Sequence, residues 1–304
     1  MWQYVRNRFK RKPKVSTIAP THPKVSAAAP THPKPAHAKS IAPSVKKEAA
    51  HVSNQIKHII AIASGKGGVG KSTVCSNLAF ALTAQGHKVG VLDADIYGPS
   101  QASLLGNIGK AQGENGALLP MESHGVKFIS MSSVNPKDGA IIVRAPVATR
   151  AVNQFLTDVK WGELDYLLVD LPPGTGDIPL SLAQKASLSG VVIVTTPQPM
   201  ATDIAVKSLQ MFKKVNVPIL GVIENMSAYI CPHCHETSTI FNVGGGQRIA
   251  QENDIALLAQ IPLDPALLSS SEQGKSLVID APNSAPSLAF LQAAKQLHFQ
   301  QVHV

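Results

Sequence analysis

The chain has little cysteine for its length, three residues in 304. Three thiols are too few to staple a secreted domain, and they point to a reducing compartment. Long apolar runs are missing too: no stretch approaches the roughly 20 residues needed to span a bilayer, and no secretion-signal core follows Met1. Acidic side chains are absent from residues 1–47, which hold eleven of the 28 Lys and Arg. The other 17 bases face 19 acids, so the body carries a net charge near −2, and the pI of about 9.5 belongs to the start of the chain. Nucleic-acid binding by a basic face of a folded domain is therefore not expected.

What is present divides near residue 56. The preceding part is rich in Pro, Ala, Lys and His, and Val15–Lys24 recurs nearly unchanged as Val25–Lys34. Such a segment buries too little apolar surface to offset its ordering entropy, and two polar decapeptides do not make a solenoid. The expectation is a disordered, polyproline-like basic tail over 1–56 and one folded domain over 57–304. Trp2, Tyr4, Val5 and Phe9 interleave with Arg6, Arg8, Lys10 and Arg11, a pattern open to a short membrane-surface helix or an organellar presequence. The expected location is the cytoplasm, with the mitochondrial matrix as the alternative if the basic start is a presequence.

From His58 onward apolar runs alternate with helical stretches. The runs are Ile59–Ala63, Lys88–Asp93, Val126–Met131, Tyr166–Asp170, Val191–Thr195, Ile219–Glu224 and Ala256–Ile261. This alternation predicts an α/β fold, a doubly wound and mostly parallel sheet flanked by helices. Ligands in such sheets sit at the carboxyl ends of the strands, where the polar motifs of this chain fall. A last helix is expected over Ser287–Leu297, as packing rather than a membrane anchor, because its polar face is not basic.

The first run leads into Gly65-Lys66-Gly67-Gly68-Val69-Gly70-Lys71-Ser72-Thr73. The spacing fits G-x-x-x-x-G-K-[ST], a loop whose backbone N–H groups wrap phosphates, whose lysine meets the β and γ oxygens and whose hydroxyl ligates magnesium. A helix with one apolar face is expected from Lys71 through Ala81, its positive dipole end toward the anion. Two carboxylates, Asp93 and Asp95, leave the second run together, fitting one to hold an attacking water and one to support the magnesium shell. Asp170 closes the next acidic strand before Pro172-Pro173-Gly174 and fits a carboxylate acting on magnesium through water.

Cys231-Pro232-His233-Cys234-His235 brings two thiols to one point. Three readings fit the residues alone: a zinc site completed by His233 and His235, a thiol–disulfide pair, or two ligands per chain of a [4Fe–4S] cluster shared across a two-fold axis. Cys75, among small and apolar residues of the first helix, reads as a packed thiol.

The phosphate loop resembles the deviant Walker A loop of the MinD/ParA/Mrp branch of P-loop ATPases. Asp93-Ala94-Asp95-Ile96-Tyr97-Gly98-Pro99-Ser100, Glu224-Asn225-Met226-Ser227 and the Cys-x-x-Cys that follows resemble the Mrp/ApbC iron–sulfur carriers within it. The likeness covers roughly residues 57–285. It implies that Lys66 reaches a partner's nucleotide in trans, that Asp95 orients the attacking water, that Asn225 recognises adenine, and that Cys231 and Cys234 hold a bridging cluster. The implied protein is a homodimer that binds ATP, Mg2+ and a [4Fe–4S] cluster, hydrolyses ATP slowly, and exchanges clusters with scaffold and apo-proteins. The alternative is a MinD/ParA-like positioning ATPase attached to membrane or nucleic acid through its tail. Two departures stand out: Arg144-Ala145-Pro146-Val147 replaces a usual Arg-Gly-Pro-Met, and residues 1–56 are not expected to form the folded N-terminal domain of many bacterial relatives.

Overall fold

The computed structural model describes residues 55–114, 117–134, 145–231, 233–234 and 236–300. The expectations for the tail before Gln55, and for Arg144, Pro232 and His235, lie outside these residues. The chain runs β1 (Gln55–Ser64), α1 (Lys71–Ala84), β2 (Val89–Asp93), α2 (Gln101–Leu104), β3 (Gly113–Glu114), β4 (Ala117–Leu118), β5 (Met121–Ser123), β6 (Val126–Ile129), α3 (Met131–Val134) and α4 (Ala145–Thr157). It continues as β7 (Glu163–Asp170), α5 (Asp177–Lys185), β8 (Gly190–Thr195), α6 (Pro199–Lys214), β9 (Ile219–Ile230), β10 (Thr237–Ser238), α7 (Gly245–Asn253), β11 (Leu257–Leu263), α8 (Pro265–Glu272), α9 (Leu277–Asp280) and α10 (Ala285–Gln300). Strand β1 thus opens two residues ahead of the expected domain start.

The sheet order is β10-β9-β8-β1-β7-β2-β6-β5, with β11 also paired to β9. Pairs among β6, β2, β7, β1, β8, β9 and β11 are parallel, and only the short β5 and β10 run antiparallel to their neighbours in this sheet. Each of the seven apolar runs supplies one parallel strand. Because both faces of a parallel sheet are covered, its strands read as unbroken apolar runs. In β1, Ile60 and Ile62 enter the core under α1 and α10, while Ala61 and Ala63 enter the core with Leu209 and Phe212 of α6.

Helix α1 departs from the single apolar face expected of it. Ten of its residues, from Lys71 to Leu82, are buried, because α9 and α10 cover the side turned away from the sheet. One capping contact is the Gln85 side-chain amide donating to Leu291 O at 2.9 Å. The phosphate loop is therefore anchored by a strand and a helix that both lie inside the protein. Among the described residues no helix is long and apolar enough to cross a membrane.

Candidate functional site

The loop between β1 and α1 has the shape an anion needs. A Cβ built at Gly65 would lie 2.5 Å from the Ile204 carbonyl carbon, so only glycine lets the loop pass the start of α6. Gly70 has φ +79°, and its Cβ would meet Asn225 Nδ2 at 2.2 Å. Gly70 is also the N-cap of α1, with no side-chain cap and no acid in the first turn. The first-turn amides are thereby left to an external anion. Gly67 and Gly68 face outward, Val69 is buried, and Ser72 and Thr73 are half-buried. Lys71, 6% exposed, bonds the Asp170 carboxylate and donates to Ser72 Oγ at 3.3 Å. A glycine cradle, an uncapped helix start and a buried lysine beside a hydroxyl and a carboxylate together fit a magnesium-bound polyphosphate.

The carboxylates meet at the ends of β2 and β7, where Asp93 lies in register with Asp170. Both are fully buried. Asp93 accepts from Ser100 N at 3.0 Å, Gln101 N at 3.1 Å, Ser130 Oγ at 3.0 Å and Asp95 N at 3.2 Å, which ties down the loop leaving β2. Burial first, and the negative charge of Asp170 second, push its carboxyl up to about 7. Asp95 sits higher in this loop and is half-buried. Burial raises its carboxyl, Lys71 opposes that rise, and Asp170 adds to it. An acid kept from ionising too readily is a better proton acceptor near neutral pH than an exposed one.

Gln101, at the start of α2, escaped the sequence reading, which stopped at Ser100. It is fully buried, and its amide donates to Asp170 Oδ2 at 2.7 Å and to Ser72 O at 3.0 Å. A polar residue two positions after Pro99 was the available signal, yet a glutamine there reads equally as surface. Lys66, half-buried, donates to Gln198 Oε1 at 3.2 Å within its own chain, beside the start of α6. Asn225 is 6% exposed and donates to Val69 O at 2.9 Å, so one donor of the amide expected to read a base holds the loop backbone.

Strand β9 carries the chain from the nucleotide side to the cysteines. It is buried through Asn225, takes a left-handed turn at Met226 (φ +56°), and becomes half-exposed beyond. The buried Glu224 accepts from Gly246 N and, at 2.8 Å, from Gln260 Nε2, fixing the start of α7 and the neighbouring β11. Between these stems Cys231 N donates to Glu236 O at 3.0 Å. Cys231 is half-exposed, Cys234 is exposed, and neither is in a disulfide. Hydrogen bonds from the Cys234 backbone, then the His233 backbone, lower the Cys231 thiol below its ordinary range. Cys75 is buried, and burial pushes its thiol well up, as suits packing rather than ligation. Among the described residues no three His, Cys, Asp or Glu side chains gather as a metal site, and the Cys231 thiol is hydrogen-bonded by Cys234.

Comparison with known proteins shows the family. The family profile of ParA-type proteins described as NUBPL iron-transfer P-loop NTPases matches residues 55–298. An iron–sulfur cluster carrier protein of Aquifex aeolicus is 46% identical over 245 residues, 80% of this chain and 67% of that protein. An Arabidopsis thaliana mitochondrial iron–sulfur protein required for NADH dehydrogenase is 43% identical over 244 residues, 80% of this chain and 78% of that one. A nucleotide-binding protein of Archaeoglobus fulgidus, solved with ADP, superposes with a TM-score of 0.66 at 38% identity, covering 76% of this chain and 90% of its own. From its glycine-cradled phosphate loop to its paired thiols, the chain belongs to the NUBPL iron-transfer family of ParA-type P-loop NTPases.

Proposed function

We propose that the protein is an ATP-hydrolysing iron–sulfur carrier that works as a homodimer, holding a [4Fe–4S] cluster between two copies and releasing it to apo-proteins. The observation that carries this reading is the outward-facing, unbridged pair Cys231 and Cys234 at the end of the strand whose Asn225 grips the phosphate loop. Two thiolates per chain supply half the ligands one such cluster takes, and a two-fold axis supplies the rest. The family match favours this reading over a MinD-like positioning ATPase.

At the nucleotide, Lys71 and the amides of Gly67–Thr73 bind the phosphates, and Ser72 and Asp170 hold Mg2+. The ion, when bound, neutralises charge on the β and γ oxygens. Asp95 orients the water whose oxygen bonds to the γ-phosphorus as the link to the bridging oxygen breaks. Lys66 leaves Gln198 to reach the partner's phosphates, and Asn225 reads the base edge with the rest of its amide. Unassisted P-loop hydrolysis runs at about 10⁻⁴ to 10⁻² per second, so nucleotide state acts as a switch rather than as fuel.

The test is anaerobic reconstitution with ferrous iron and sulfide, read by absorbance and by metal and sulfide analysis. About four irons and four sulfides per dimer, lost in Cys231→Ala with ADP binding intact, is the expected result. Colourless protein holding stoichiometric zinc would overturn the carrier reading.

A further inference from the structure

The sequence motifs assign Lys71, Ser72 and Asp170 to the magnesium–phosphate site, where Lys71 bonds the other two, and a fourth residue also ties Ser72 to Asp170. Gln101 spends both amide hydrogens there, on Asp170 Oδ2 and on the backbone oxygen of Ser72. Its own N–H donates to Asp93, so one residue binds the start of α1, the end of β7 and the end of β2. The far oxygen of Asp170 is taken by Lys71, and the carboxylate is thereby held in one orientation.

The remaining atom of the amide is the informative one. Gln101 Oε1 is buried and has no hydrogen-bond partner. Burying an amide in place of an apolar chain costs free energy unless its groups are matched, and native interiors keep few exceptions. Here the donors are matched and the acceptor is not. A water on a metal ion binds through its oxygen and presents only hydrogens outward, so its neighbour must be an acceptor. Ser72 and Asp170, the residues fitted to hold the ion, are the two to which the side-chain amide of Gln101 donates.

We infer that Gln101 is a positioning residue of the magnesium site: its amide hydrogens set Asp170 and the Ser72 backbone, and its oxygen accepts from water bound to the ion. This rests on the nucleotide-binding reading above. Residues that orient metal ligands typically contribute 10- to 100-fold to metal affinity.

The experiment compares full-length wild type with Gln101→Met, which keeps length and removes both polar atoms. ADP affinity is measured by titration calorimetry at several Mg2+ concentrations and in EDTA. The expected result is ADP affinity in EDTA within about twofold of wild type, and at least a ~10-fold higher Mg2+ concentration for half-maximal enhancement. Equal Mg2+ dependence in the two proteins overturns the inference. If Gln101→Met does not fold, Gln101→Asn, which keeps the amide but withdraws it by one carbon, carries the same expectation and the same overturning result. Wild type that binds no ADP would instead overturn the nucleotide reading on which this rests.

Discussion

Around Lys71 the buried polar side chains bond one another within the chain, and around Cys231 the side chains are left open to solvent. The buried carboxylates Asp93 and Asp170 are bonded at both oxygens by groups of the same chain, from Lys71 and Gln101 to Ser130. The cysteine loop is different: Cys234 is exposed, and Ile230, Ile240 and Val243 near it are 36%, 55% and 70% exposed. The difference teaches where each specificity is stored. On the proposed reading, phosphate binding draws mainly on groups the fold already holds in place, at the expense of burying charge. On the same reading, cluster binding is left to surface groups, which cost the fold little and can meet a second body.

That contrast can be broken most forcefully at Gly65. Gly65→Ala drives a methyl into the backbone of Ile204 and Ala205. Misfitting bulk of this kind costs about 3 kcal/mol, which for a domain of this size is on the order of 10 °C in melting temperature. Scanning calorimetry should show that loss together with loss of ADP binding. A stable Gly65→Ala protein that still binds ADP would mean the loop is not locked by its neighbours.

A smaller effect should follow the buried charge. Asp93 keeps its proton up to about 7 when folded and loses it near the ordinary carboxylate value when unfolded. Between about 4 and 7 the folded state therefore binds more protons, and stability falls as pH rises through that window. Asp93→Asn removes this term, so its melting temperature should decline less between pH 5 and 7.5 than that of wild type, by a few degrees. Equal slopes would show that Asp93 ionises as an ordinary carboxylate.

The smallest perturbation sharpens the comparison without damaging either site. Iodoacetamide followed by peptide mass mapping should label Cys231 while sparing Cys75, with the Cys231 rate rising at lower pH than that of an unperturbed thiol, because its thiolate is favoured. Labelling of Cys75 at a matching rate would contradict its place in the core.

Much of the fold could be read from the residues. All seven parallel strands announce themselves as apolar runs, since a strand covered on both faces has no polar side to hide them. The short β3, β4, β5 and β10 do not, because two or three residues carry no alternation to detect. The burial of α1 on all sides was invisible for another reason: its cover, α10, lies some two hundred residues downstream. At the site, Gly65, Gly70 and Lys71 were legible because their chemistry demands fixed spacing, and Asp170 because it closes an apolar strand. Gln101 was not, as its role comes from an approach between β7, α1 and α2 that no local pattern encodes.

Strand β9 has a consequence for how such a chain can change over time. Between Asn225 and Tyr229 its pairing with β11 slips: Ile261 and Leu263, two apart, face residues four apart, with left-handed Met226 inside the gap. Extra residues in a bulge are absorbed locally, leaving the ladder on the inner side undisturbed. The bulge is thus a seam. Insertions, deletions or wholly different cargo-holding segments could be spliced outward of it while the inner strand, and the loop that Asn225 grips, keep their register.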